Sequence, residues 1–156
     1  MRAKGYTLIE LLVVLAVLGL LAGLAMPLSQ AVQQRERERE LKRALWEIRD
    51  ALDAWRRARE AGAIAGSPTA PPYPRTLAAL TEVWPDQRPD RRGSVLRFLR
   101  RVPRDPFADP ALPAEMTWGL RSYQSDADRP QRGDEVFDVY SRSDRIGSNG
   151  LPLAQW

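Results

Sequence analysis

From Leu8 to Leu28 every residue except Glu10 is apolar or small. At a rise of about 1.5 Å per residue, a helix over this run is roughly 30 Å long, the thickness of a bilayer's hydrocarbon core. Leu11, Leu12, Val13, Val14, Leu15, Ala16, Val17 and Leu18 leave no polar side, so the run cannot lie as an amphipathic helix on a globular core. It must be covered by lipid or by other helices. Arg2 and Lys4 precede it, which raises the alternative of a cleaved secretory signal. Against that, no A-x-A-like site closes the run, and Met26, Pro27 and Leu28 lead directly into a charged helical pattern. A discarded signal also has no use for Glu10. A carboxylate near the start of a membrane span costs a few kcal/mol unless it has a partner, which marks Glu10 as a functional residue. The plainer alternative is a side chain that snorkels to the headgroups or stays protonated.

The remaining residues suffice for one modest domain. The chain has 156 residues and neither His nor Cys. That excludes Ser-His-Asp and Cys-His nucleophilic systems, zinc sites built on those ligands, and disulfides. Lys plus Arg number 24 against 20 Asp plus Glu, and Lys4 and Lys42 are the only lysines. So uniform a use of arginine reads first as a bias of the source genome rather than selection for anion binding.

Between Gln30 and about Glu60 the pattern is helical, with Leu41, Leu45, Ile48, Leu52 and Trp55 along one face. Arg39, Lys42, Arg43, Glu47, Arg49, Asp50, Asp53, Arg56 and Arg57 occupy the opposite face, which reads as solvated. Arg35 with Glu38 and Arg37 with Glu40 form i,i+3 pairs worth tenths of a kcal/mol. A filament-contact role is the sharper reading of this charged stretch. Pro27 interrupts the hydrogen-bond ladder and predicts a kink or local melting. Gly62, Gly66 and the Pro68 to Pro74 stretch end the helix.

In the C-terminal part, Leu77, Leu80 and Trp84 predict a short helix entered near Thr76 and stopped at Pro85. Val95, Phe98, Leu99 and Val102 predict a second over Gly93 to Val102. Strands are predicted at Met116 to Gln124 and Val136 to Ser141, paired as a hairpin across the Asp126 to Gly133 loop. Arg88 to Arg104 is the most basic stretch. It carries no interleaved aromatics and no recognisable nucleic-acid fold motif, so a solvated or subunit-contact face ranks first, anionic headgroups or a secreted partner next, and nucleic acid last.

The run Gly5-Tyr6-Thr7-Leu8-Ile9-Glu10, followed by Leu11-Leu12-Val13-Val14, resembles the signal of type IV pilins and type II secretion pseudopilins. The resemblance implies cleavage between Gly5 and Tyr6 by a prepilin peptidase and N-methylation of Tyr6. It implies that Glu10 meets the N-terminal amine of a neighbouring subunit during filament assembly. Tyr6 stands where Phe is more usual. In low dielectric such a cationic partner offsets much of the cost of the carboxylate. Charge counting leaves the topology open, because Arg35, Arg37, Arg39, Lys42 and Arg43 oppose Arg2 and Lys4. The resemblance places residues 1–5 in the cytoplasm, the span in the bacterial inner membrane and the head in the periplasm.

Farther on, Tyr73-Pro74, Val102-Pro103-Arg104-Asp105-Pro106-Phe107 and Phe137-Asp138-Val139-Tyr140-Ser141 resemble the head of the major, G-type pseudopilin. The implied fold is α+β and pilin-like: leader 1–5, membrane and filament-core helix 6–28, stalk 29–61 packed on the head, and an α+β head 62–156 with short helices and an antiparallel hairpin or small sheet. G-type relatives commonly hold their C-terminal loop with calcium. Here Asp144 matches the first acidic position, but Ser148-Asn149-Gly150-Leu151-Pro152 replaces the acidic pair that usually follows. The choice lies between a weak calcium loop at Asp144, Ser148 and Asn149 and a metal-free turn, which is slightly favoured.

The function implied is a non-enzymatic, cofactor-free filament subunit. Its partners are further copies of itself, minor pseudopilins, the prepilin peptidase, the inner-membrane assembly platform, the secretion ATPase and membrane lipid. A type IV pilin and a minor or competence pseudopilin are the alternatives within this class. A membrane-anchored binding module or enzyme is the alternative outside it. For an enzyme the available carboxylates, Asp105, Asp109, Asp126, Asp128, Asp134 and Asp138, have no spacing that enforces a catalytic pair.

Overall fold

A single helix, α1, spans Leu8–Glu60. The computed structural model describes residues 7–67, 70–126 and 128–156, and side chains at all of these except 22–29. The helical backbone continues through Pro27 without interruption. At its far end, the N–H of Ala63 donates to Ala58 O at 2.8 Å and that of Gly62 to Arg59 O at 3.0 Å. Gly62 adopts φ +68°. This is the Schellman arrangement, in which a residue without a Cβ turns the chain back and satisfies the last carbonyls. The predicted end of the helix near Glu60 is therefore correct.

The chain divides into two compact units, one ending at Arg37 and the other running Glu38–Trp156. In the second unit, Leu41, Leu45, Ile48, Leu52 and Trp55 of α1 are all buried and form one side of the core, joined by Ala44 and Ala51. The head supplies the other side: Ile64, Tyr73, Leu77, Leu80, Leu99, Val102, Trp118, Val136, Val139 and Leu153. Trp55 sits between Trp84, edge-on at 5.0 Å between ring centroids, and Phe98 at 5.3 Å. Such contacts add to plain area burial.

Among the described residues, two small antiparallel sheets complete the head. Strands β1 (Trp84–Pro85) and β2 (Val95–Leu96) pair Trp84 with Leu96 and Pro85 with Val95. Strands β3 (Trp118–Arg121) and β4 (Asp138–Ser141) pair in the register Trp118 with Ser141 through Arg121 with Asp138. Gly119 lies opposite Tyr140, whose ring occupies the space a Cβ would need. The architecture is α+β: a long N-terminal helix, short helical turns and small antiparallel sheets.

Two local expectations are corrected. The helix expected from Thr76 to Trp84 is a single 3-10 turn at Ala78–Leu80. The helix expected over Gly93 to Val102 is absent. Gly93 turns the chain at φ +85°, Val95 and Leu96 pair with β1, and the N–H groups of Phe98 and Leu99 both donate to Leu80 O. Strand pairing and that shared carbonyl satisfy the backbone here, so helical hydrogen bonds are not needed.

Within the β1–β2 connection, the buried carboxylate of Asp86 takes the guanidinium of Arg88 at 2.6 Å and the Arg88 N–H at 3.1 Å. Its hydrogen bonds from the Arg88 side chain pull its pKa from 3.8 down to about 2, against the opposing effect of burial. A depressed carboxylate stabilises the fold above its unfolded pKa and loses that contribution as pH falls through the folded value. The difference in denaturation midpoint between the native chain and Asp86→Asn should therefore be constant above about pH 5 and shrink between about pH 4 and 2. A pH-independent difference would show that the pair contributes nothing.

Candidate functional site

Thr7 and Glu10 make reciprocal contacts at the start of α1. The Glu10 N–H donates to Thr7 Oγ1 at 3.3 Å, and the Thr7 N–H donates to Glu10 Oε2 at 3.4 Å. This is a capping box, which satisfies donors that the first turn leaves without partners. The acidic side chain also lies favourably at the positive end of the helix dipole. The spacing T-x-x-E was visible in the sequence, so Glu10 has a local task in addition to any intermolecular one. Gly5 and Tyr6 lie outside the described residues, and at Pro27 only the backbone is described.

All of the described apolar side chains in this segment are exposed. Leu11, Leu12, Val13, Val14 and Leu15 follow one another and cover every direction around the axis, with Leu15 at 64 % exposure. Such a surface is stable only when something apolar covers it. Among the described residues no helix is long and apolar enough to cross a membrane.

A second feature was missed in the sequence. Three charged residues of α1, spaced i, i+4 and i+11 and hence close to one face, hold the C-terminal segment. Glu38 accepts the Ser148 N–H at 2.9 Å and the Ser148 hydroxyl. Lys42 places its ammonium 4.4 Å from the centre of the Trp156 ring. Arg49 donates to Asp138 Oδ1 at 2.8 Å and to the main-chain oxygens of Trp156 at 2.8 Å and Val139 at 3.3 Å. Glu38 is only 5 % exposed and Arg49 is half-buried, so neither lies on a solvated face as expected. Glu38 lies three residues before Leu41, in line with the apolar stripe, and that was the available signal. Trp156 packs against the core, and its ring fills the space a Cβ on Gly147 would need.

Four of the six carboxylates considered for catalysis have structural partners. Asp105, 1 % exposed, accepts the Ser141 hydroxyl at 2.6 Å and the Phe107 N–H at 2.8 Å, and so ties β4 to the turn after Val102. Asp138 receives Arg49 and, at 2.9 Å, Arg121. Asp109 accepts the Ala111 N–H and Asp126 the Asp128 N–H. Asp128 and Asp134 are exposed. The basic stretch is likewise divided: Arg88 pairs with Asp86, Arg91 lies 3.6 Å from Asp90, and Arg104 donates to Asp109 O. Arg97, Arg100 and Arg101 face solvent. In the C-terminal loop Asp144 is exposed, Ser148 faces Glu38, and Asn149 Oδ1 accepts the Leu151 N–H at 3.1 Å.

Residues 1–26 match the family described as the prokaryotic N-terminal methylation motif. No curated protein and no solved structure matches the chain. The motif supports a pilin-like subunit, with the membrane-anchored start, peptidase processing and filament assembly that such a signal implies.

Proposed function

We propose that the chain is a structural subunit of a type II secretion pseudopilus. The prepilin peptidase cuts between Gly5 and Tyr6 and the new N-terminus is methylated. The first half of α1 stores the subunit in the inner membrane, and a secretion ATPase and platform then add it to a filament whose growth pushes proteins toward the outer membrane. The observation that carries this reading is the all-round exposure of Leu11 to Leu15 within the segment that matches the methylation motif. Lipid covers such a surface before assembly and the same helices of neighbouring subunits cover it afterwards.

The role is mechanical and uses no cofactor. Two further observations favour a subunit that also uses its stalk for contacts. Trp46, on the second half of α1, is 67 % exposed, and Glu47, Asp50 and Asp53 near it are exposed as well. An uncovered tryptophan ringed by charge is the usual composition of an interface anchor with a polar rim. The choice of G-type pseudopilin over type IV pilin rests on the missing Cys and on the Phe137 to Ser141 segment.

Assembly is the test. Co-produced with a complete secretion machinery, the chain should be recovered in filaments sheared from cells, and omission of the ATPase should abolish them. Recovery solely as a dispersed membrane protein, with the machinery present, would contradict the proposal.

A further inference from the structure

We propose that the C-terminal loop is fastened by a carboxylate of α1 in place of a divalent cation: Glu38 holds Ser148, and the loop closes without calcium. Calcium requires six to eight oxygen ligands, several of them usually carboxylates. The candidate donors here are engaged otherwise. The Ser148 hydroxyl and N–H both point their hydrogens at Glu38. Asn149 Oδ1 is turned inward to Leu151 N–H. Gly147 O takes the N–H of Gly150, Leu151 O takes that of Gly147 at 2.8 Å, and Arg145 O takes that of Leu153. Ile146 and Pro152 form an isolated bridge across the base of the turn. Asp144 is the one carboxylate between Ser141 and Trp156. Among the described residues no three His, Cys, Asp or Glu side chains converge as metal ligands. The donor set does not fit calcium.

A cation in such a loop draws distant oxygens together. Here the charge has the opposite sign and the donors are hydrogens. One anionic acceptor, Glu38, holds a main-chain and a side-chain donor 110 residues away in sequence. Charge-assisted bonds of this kind are about twice as strong as neutral ones, and Glu38 is buried, so water competes poorly for it.

Trypsin can read the loop directly, because Arg142 and Arg145 border it and both are exposed. Full-length protein in detergent micelles is digested in calcium chloride and, separately, in EGTA, and the rate of cutting after Arg145 is followed by mass spectrometry. The unaltered chain should be cut at the same rate in both, within about twofold. Ser148→Ala and Glu38→Gln should be cut at least about tenfold faster in both, as expected for loss of a charge-assisted clasp. Ser148→Thr, which keeps the hydroxyl, should stay near the native rate. Should Glu38→Gln fail to fold, Ser148→Ala on the exposed loop decides alone. Protection of the native chain by calcium, or a native cutting rate in Ser148→Ala, would overturn the proposal.

Discussion

Glu10→Gln should lower filament yield at least about tenfold, as severely as Glu10→Leu, while both variants remain processed and membrane-bound. The two substitutions separate two tasks of one side chain. Glutamine keeps the reciprocal bonds with Thr7 that cap α1, since Gln serves in a capping box as well as Glu does. It removes the charge. Leucine removes both. If the carboxylate matters because it meets a cationic N-terminus on the neighbouring subunit, loss of charge leaves that amine without its partner in a low-dielectric filament core, at a cost of about 3–5 kcal/mol. Sheared-filament yield normalised to membrane-bound subunit is the measurement. A Gln variant that assembles like the native chain would mean that the cap, not the charge, is what Glu10 provides.

Ile48→Ala should destabilise the head by about 3 kcal/mol. Ile48 is 0 % exposed, halfway along the face of α1 that packs on the head. Truncation removes buried methyl groups and leaves a cavity that a close-packed surround only partly fills, typically about 2–5 kcal/mol for this substitution. A domain of this size has about 5–15 kcal/mol in all, so the loss is a large share. Urea unfolding of detergent-solubilised protein, followed by tryptophan fluorescence, should show a lower midpoint with an unchanged slope. Trp55 and Trp118 report from inside the same core. A stability loss below about 0.5 kcal/mol, taken as the midpoint shift times the slope, would mean that the head holds together without this half of α1.

Legibility in the sequence followed the strength of local pattern. The stripe from Leu41 to Trp55 is legible because a 3.6-residue period repeated over four turns has no competing explanation. The end of α1 is legible because Gly62 satisfies a backbone requirement that few other residues meet. The β3–β4 pair was expected where it lies, although longer; the chain at Ser122 instead bonds across to Gln131 and leaves the ladder. The segment Val95 to Val102 misled because apolar residues at i, i+3, i+4 and i+7 also arise when an irregular chain alternates between solvent and core. Here Val95 is exposed while Leu99 and Val102 are buried.

The polar contacts of the head were least legible, and for one physical reason. A charge on a helix face is read as solvated unless its partner is known. The partners of Glu38, Lys42 and Arg49 lie 89 to 114 positions away, at Asp138, Ser148 and Trp156. Asp105 was weighed only as a dispersed carboxylate, and nothing local announced that Ser141 would donate to it. At the N-terminus the situation is reversed. Glu10 and its apolar run are local signals, and the motif matched over residues 1–26 includes them.

The central claim is that this chain is a processed pilin-like subunit, and the N-terminus of the mature protein tests it most directly. Intact mass and N-terminal analysis should be made on protein from membranes of cells with and without an active prepilin peptidase. The account predicts a chain that begins at N-methylated Tyr6 when the peptidase is active and at Met1 when it is not. A chain that keeps Met1 in both strains, or one that begins after Pro27, would contradict it.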